Sequence, residues 1–111
     1  MNLALDFDET YTLDPETWNK VIQLFLTSGH KVYCVTKRYE HLSKDIKNVL
    51  DIPIIFVPRS VAKMQAVKSV GIKIDVWIDD KPQSIYPYKI NKKKLSAFHV
   101  SNKPISRWKK W

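Results

Sequence analysis

Cysteine is nearly absent: Cys34 is the single one in 111 residues. An internal disulfide and a cysteine-based zinc site are therefore excluded. No run of roughly 18 apolar residues occurs, so no transmembrane helix is expected. The N-terminal MNLALDFDET has no basic n-region and turns acidic within six residues, unlike a secretory signal. A cytoplasmic location is the expectation. Internal repeats, low-complexity tracts and dividing linkers are also missing, so residues 1–111 are expected to form one domain. Acids are missing from residues 81–111, which carry nine basic residues.

What is present is enough for a core. Hydrophobic residues make up 44% and charged residues 27%, which excludes a disordered chain. The formal net charge is +8, and much of it lies in the acid-free segment. Four of the 11 acids (Asp6, Asp8, Asp79 and Asp80) stand in two tight pairs. The rest of the surface is correspondingly more basic, and a polyanion such as nucleic acid is a plausible partner.

Periodicity alternates between strand and helix. The run from Asn2 to Asp6 is short, apolar and ends in acids, as a buried strand does. Asp14-Pro15-Glu16 starts a helix, with Trp18, Val21, Ile22 and Phe25 at helical spacing and Gly29 as its stop. Lys31 to Val35 reads as the second strand. Leu42, Ile46, Val49 and Leu50 mark a second helix, closed before Pro53. Ile54 to Val57 reads as the third strand, and Ser60 can cap a helix running to Val70. Ile74 to Ile78 reads as the fourth strand and Leu95 to Val100 as a weaker fifth. This βαβαβαβ order argues for a parallel sheet with helices on its faces. Lys81 to Lys94, with Pro82 and Pro87, has room for one short helical turn.

Ligands of open parallel sheets bind at the carboxyl ends of strands. Here the first strand ends in Asp6-Phe7-Asp8-Glu9-Thr10, the second in Thr36-Lys37-Arg38 and the fourth in Asp79-Asp80-Lys81. Carboxylates gathered at one edge repel each other and need a cation. Hard oxygen ligands suit magnesium. His30, His41 and His99 match no ligand spacing, and Cys34, inside a strand, reads as a small buried apolar group.

Taken together, these segments resemble the haloacid dehalogenase (HAD) superfamily of phosphotransferases. LALDFDET resembles its first motif, an apolar strand followed by Asp-x-Asp-x-Thr. VYCVT, with Thr36, resembles the second, Lys63 the third, and VWIDD the fourth. Lys68 on the same helix and Arg59 just before it are alternatives to Lys63. The family usually has Gly where Glu9 stands; Asp-x-Asp-Glu-Thr is similar to the variant in capless phosphatases acting on polymerase tails. The resemblance implies a three-layer, Rossmann-like α/β fold with a mostly parallel five-stranded sheet in the order 5-4-1-2-3. It implies that Asp6 attacks phosphorus and that Asp8 protonates the leaving oxygen and later activates water. Asp8 is then expected to start protonated, kept so by the crowded carboxylates. Thr36 would bind a phosphoryl oxygen and Lys63 would offset charge. Asp79, Asp80, Asp6 and the main-chain carbonyl of Asp8 would hold magnesium. Thr10, Lys37 and Arg38 are candidate substrate contacts.

The spacing leaves no room for a cap domain. Asp8 to Asp14 is a six-residue step, and Thr36 to Lys63 is 27 residues already filled by a helix and a strand. An open site admits a macromolecular end. The leading expectation is a magnesium-dependent phosphatase acting on a phosphorylated nucleic-acid end or nucleotide. The alternatives are a phosphoprotein phosphatase, a non-catalytic HAD-like module binding nucleic acid or protein, and a metal-dependent nuclease. Lys92 to Lys94 could line phosphates, and Arg107 to Trp111 interleaves cations with aromatics that either stack on bases or pack on the domain.

Overall fold

The computed structural model describes residues 1–86. The expected fifth strand at 95–100, the lysines at 92–94 and the tail at 103–111 lie outside them. The element order is β1 (Asn2–Leu5), α1 (Pro15–Thr27), β2 (Lys31–Thr36), α2 (Lys44–Val49), β3 (Ile54–Phe56), α3 (Lys63–Ser69) and β4 (Val76–Ile78). Short 3-10 turns occur at Tyr11–Leu13, Glu40–Leu42 and Pro82–Ser84. All strand pairings are parallel, and the four strands lie in the order β3-β2-β1-β4.

Burial on both faces explains the apolar strands. Leu3, Ala4 and Leu5 are almost wholly buried, with Leu3 and Leu5 in one cluster and Ala4 in the other. The first cluster joins β1 and β2 to Ile22 of α1 and Ile46 of α2, with Trp18, Val21 and Phe25 packed against it. The second joins Ala4 and Val35 to Val67 of α3. The sheet is thus sandwiched between α1 with α2 on one side and α3 on the other. Each fully buried aliphatic side chain contributes roughly 1.5–3 kcal/mol, so loss of either layer is costly.

The start of α1 follows the sequence reading. The Asp14 carboxylate accepts from the Thr17 amide at 3.2 Å and the Thr17 hydroxyl at 2.6 Å, and Pro15 takes the first turn. These bonds hold the exposed Asp14 carboxyl below its usual range. Gly29, at φ +84°, supplies the left-handed residue that ends the connection.

Three boundaries differ from expectation by two residues, the other described ones by one at most. Ser60 does not cap α3; a turn closed by the Val61 amide on the Pro58 carbonyl at 3.0 Å precedes it, and Ala62 takes the cap position. Leu42 falls in a 3-10 turn ahead of α2, since Ser43 turns its hydroxyl back to the Tyr39 carbonyl. The ladder of β4 begins at Val76 rather than Ile74, because the Asp75 carboxylate instead accepts from the Asn2 amide at 2.8 Å. Among the described residues no helix is long and apolar enough to cross a membrane.

Candidate active site at the carboxyl edge of the sheet

Register places the polar residues side by side. Leu5 is level with Cys34 of β2 and Ile78 of β4. The next residue, Asp6, donates its amide to the Ile78 carbonyl at 3.0 Å, so Asp6 and Asp79 leave adjacent strands together. Thr36 ends β2 on the other side of β1. Lys63, the first residue of α3, reaches the same edge from the opposite layer.

Lys63 is the centre of this cluster. Its ammonium donates to Asp6 Oδ1 at 3.0 Å and Asp79 Oδ2 at 2.6 Å. The residue is only 3% exposed, and the Asp79 side chain is equally buried. Burial works against the Lys63 charge, but Asp79 and Asp6 outweigh it and hold the ammonium above its usual range. Asp79 is steadied further by the Lys81 amide at 2.9 Å. Asp6 is pushed up to about 6, first by burial and next by the neighbouring Asp80 carboxyl, with Lys63 pulling the other way. Lys68, the alternative lysine, lines a separate shallow hollow with Met64, Gln65 and Ser69.

Asp8 departs from expectation. Its carboxylate is clasped by Arg38, with Nε and Nη2 each at 2.8 Å, and Arg38 Nη1 also holds Asp45 at 2.9 and 3.0 Å. The guanidinium keeps Asp8 below its usual range. The crowding of carboxylates therefore falls on Asp6 and does not keep Asp8 protonated. Arg38, expected at the substrate, is engaged by two acids in this arrangement. Its Cζ also lies 5.5 Å from the Phe7 ring centroid, and Phe7 in turn stacks on Tyr11.

A cavity of about 550 Å³ opens over this edge, and Asp6, Asp8, Thr36, Lys37, Arg38, Lys63, Asp79 and Asp80 all line it. Thr36 is 1% exposed and its hydroxyl accepts from the Arg38 amide at 3.3 Å. Thr10 is not on the wall; it sits buried behind Asp6, its hydroxyl donating to Oδ2 at 3.4 Å. Sequence reasoning missed Asp45, which braces Arg38 from α2, because nothing in its spacing links it to Asp8. It also missed Tyr39 as a wall residue and considered Arg59 only as a rival to Lys63. Both line the cavity, as do Glu9, Leu42, Lys81 and Ser84. Cys34 is buried, and burial pushes its thiol up to about 12, so it is inert.

The donor set fits a hard cation. Asp6, Asp79 and Asp80 each offer an oxygen, all within 4.8 Å of one another. Among the described residues, Asp6 and Asp79 share the Lys63 ammonium and Asp80 has no ion pair, so negative charge is in excess. An oxygen-only set of this kind could hold a divalent metal. The Asp8 carboxylate is not part of the group. Comparison with protein-family models, curated proteins and solved structures finds no match for this chain.

Proposed function

We propose that the chain is a magnesium-dependent phosphomonoester hydrolase of HAD type that uses Asp6 as its nucleophile. The observation that carries this reading is a buried Asp6 held between the Lys63 ammonium and the Asp79–Asp80 pair, with Thr36 on the same cavity wall. The strand order, read from the other edge as 4-1-2-3, agrees with four strands of the 5-4-1-2-3 order. An open site with no cap would admit the phosphorylated end of a nucleotide or nucleic acid.

Phosphoryl transfer asks mainly for positioning and charge compensation. An Asp6 oxygen attacks phosphorus, the bond from phosphorus to the leaving oxygen breaks, and that oxygen takes a proton from Asp8. Water then attacks the phosphorus of the aspartyl-phosphate and gives a proton to Asp8. The bond to Asp6 breaks, and inorganic phosphate and the original carboxylate result. Thr36 donates its hydroxyl to a phosphoryl oxygen, and Lys63 offsets charge on both reactants. Asp6, Asp79 and Asp80, with the Asp8 main-chain carbonyl, would hold magnesium, which supplies Lewis-acid stabilisation of the phosphoryl oxygens. Asp8 needs a proton for the first step, so its clasp by Arg38 must open. A dianionic phosphate entering the cavity competes for that guanidinium and releases Asp8 to take up a proton.

The test is phosphate release from a panel of phosphorylated compounds with magnesium, comparing the native chain with Asp6→Asn. We expect a loss of at least about a thousandfold with the thermal unfolding midpoint retained. Undiminished turnover by Asp6→Asn rejects the nucleophile assignment.

A further inference from the structure

The cavity is larger than a phosphoryl group requires, and its charge is unevenly distributed. The acidic cluster lies at the ends of β1 and β4. On the other side, Lys37 follows β2 and Arg59 follows β3. The strand order sets β3 two strands from β1, or roughly 10 Å at about 4.8 Å per strand. Among the described residues, the cations at this second end have no carboxylate within ion-pair distance. Lys37 Nζ donates to the Arg59 main-chain carbonyl at 3.2 Å, and Arg59 Cζ lies 5.5 Å from the Tyr39 ring centroid. Lys63 and Arg38 on the same cavity are fully engaged by acids.

Lys37 is the telling residue. It is partly buried, feels repulsion from Lys63 that Asp79 offsets only in part, and among the described residues donates its hydrogen bond to a neutral carbonyl. Burial and that repulsion draw the ammonium below its usual range. A partly desolvated cation of this kind is best satisfied by an anion. Beside it, Tyr39 is half exposed and the Arg59 guanidinium lies over its ring, which makes a flat cationic shelf. Nucleobases stack on aromatic and guanidinium planes of this sort.

We propose that Lys37, Arg59 and Tyr39 form a specificity subsite for a second phosphate and a base, so that the preferred substrate is a nucleotide carrying two separate phosphates. This rests on the hydrolase reading for the first phosphate and adds the choice of substrate. Lys37 and Arg59 bind the phosphate that is not cleaved, and Tyr39 supports the base. The cleaved phosphate sits at Asp6.

The experiment measures kcat and KM for phosphate release from a nucleoside 3′,5′-bisphosphate, a nucleoside 5′-monophosphate and p-nitrophenyl phosphate. Alongside it, calorimetry measures binding of the same nucleotides to the Asp6→Asn protein. The bisphosphate should show a KM about tenfold or more below that of the monophosphate. Arg59→Ala and Lys37→Ala should each erase most of that ratio, acting on KM rather than kcat. Tyr39→Ala should weaken bisphosphates that carry a base more than a ribose bisphosphate that lacks one. A native chain with no preference for the second phosphate overturns the proposal, as does a ratio unmoved by Arg59→Ala. A phosphopeptide turned over in preference to the bisphosphate overturns it too. If no compound releases phosphate, the hydrolase reading fails by itself. Calorimetry then still decides: tighter binding of the bisphosphate supports the subsite, and equal binding rejects it.

Discussion

The two ends of the cavity are built differently. At the β1–β4 end, Lys63, Asp6 and Asp79 are buried and bonded to one another, and each hydrogen bond fixes a side chain that has few alternatives. At the β2–β3 end, Tyr39 and Arg59 are exposed and Lys37 is held by one carbonyl. The first arrangement is tightly fixed, as the proposed reacting centre requires. The second is loosely held and cheap to alter, as a surface that selects among ligands can be.

The largest expected effect separates these ends by stability. Lys63→Ala removes the one ammonium between two buried carboxylates and should cost about 3–5 kcal/mol at neutral pH. The loss should shrink below about pH 6, where Asp6 takes up a proton. Lys37→Ala should change stability by less than about 0.5 kcal/mol. Urea unfolding of both variants checks the contrast, and equal losses would break it. Addition of magnesium should recover part of what Lys63→Ala loses, since a divalent ion can replace the missing charge.

A smaller effect tests the residue between the two ends. Asp8 lies below its ordinary value of 3.8 because of Arg38. A lowered folded value contributes stability that is present above the ordinary value and fades as pH falls through the lowered one. Arg38→Ala should therefore cost about 1 kcal/mol or less near neutrality, the pair being partly exposed. That cost should vanish in acid below the Asp8 transition. A loss that persists in acid would assign Arg38 a packing role, through Phe7, in place of the charge role. In the proposed hydrolase the same variant should move the alkaline limb of the kcat/KM profile, where the acid form of Asp8 is lost, to higher pH as Asp8 returns toward its ordinary value.

The smallest effect concerns the backbone that joins them. Glu9 adopts φ +61°, in the left-handed region, between the two aspartates and Thr10. A side chain there costs roughly 1–2 kcal/mol, partly offset because glycine loses more freedom on folding. Glu9→Gly should raise stability by under about 1 kcal/mol, read as a small upward shift of the unfolding midpoint. A fall would show that the Glu9 side chain itself is held.

Much of the framework was legible along the chain. Apolar runs ending in acids located β1 and β4, and Asp14-Pro15 located the start of α1 to the residue. Lys63 was separable from Lys68 only in three dimensions, since both lie on one short helix and the difference is which side of α3 faces the sheet edge. Ser60 misled because a local capping preference yields to a turn that Pro58 closes first. The Asp8–Arg38–Asp45 chain spans three elements, and no spacing rule joins them.

The amino-acid order by itself determined which segments are strands and which residues stand at their carboxyl ends, because hydrophobic period and turn chemistry are local properties. Tertiary structure alone decided that Asp6 is pushed up while Asp8 is held down, and how the cavity divides into an acidic and a cationic half. Both depend on burial and on charges brought together from distant elements, which act through space and not along the chain.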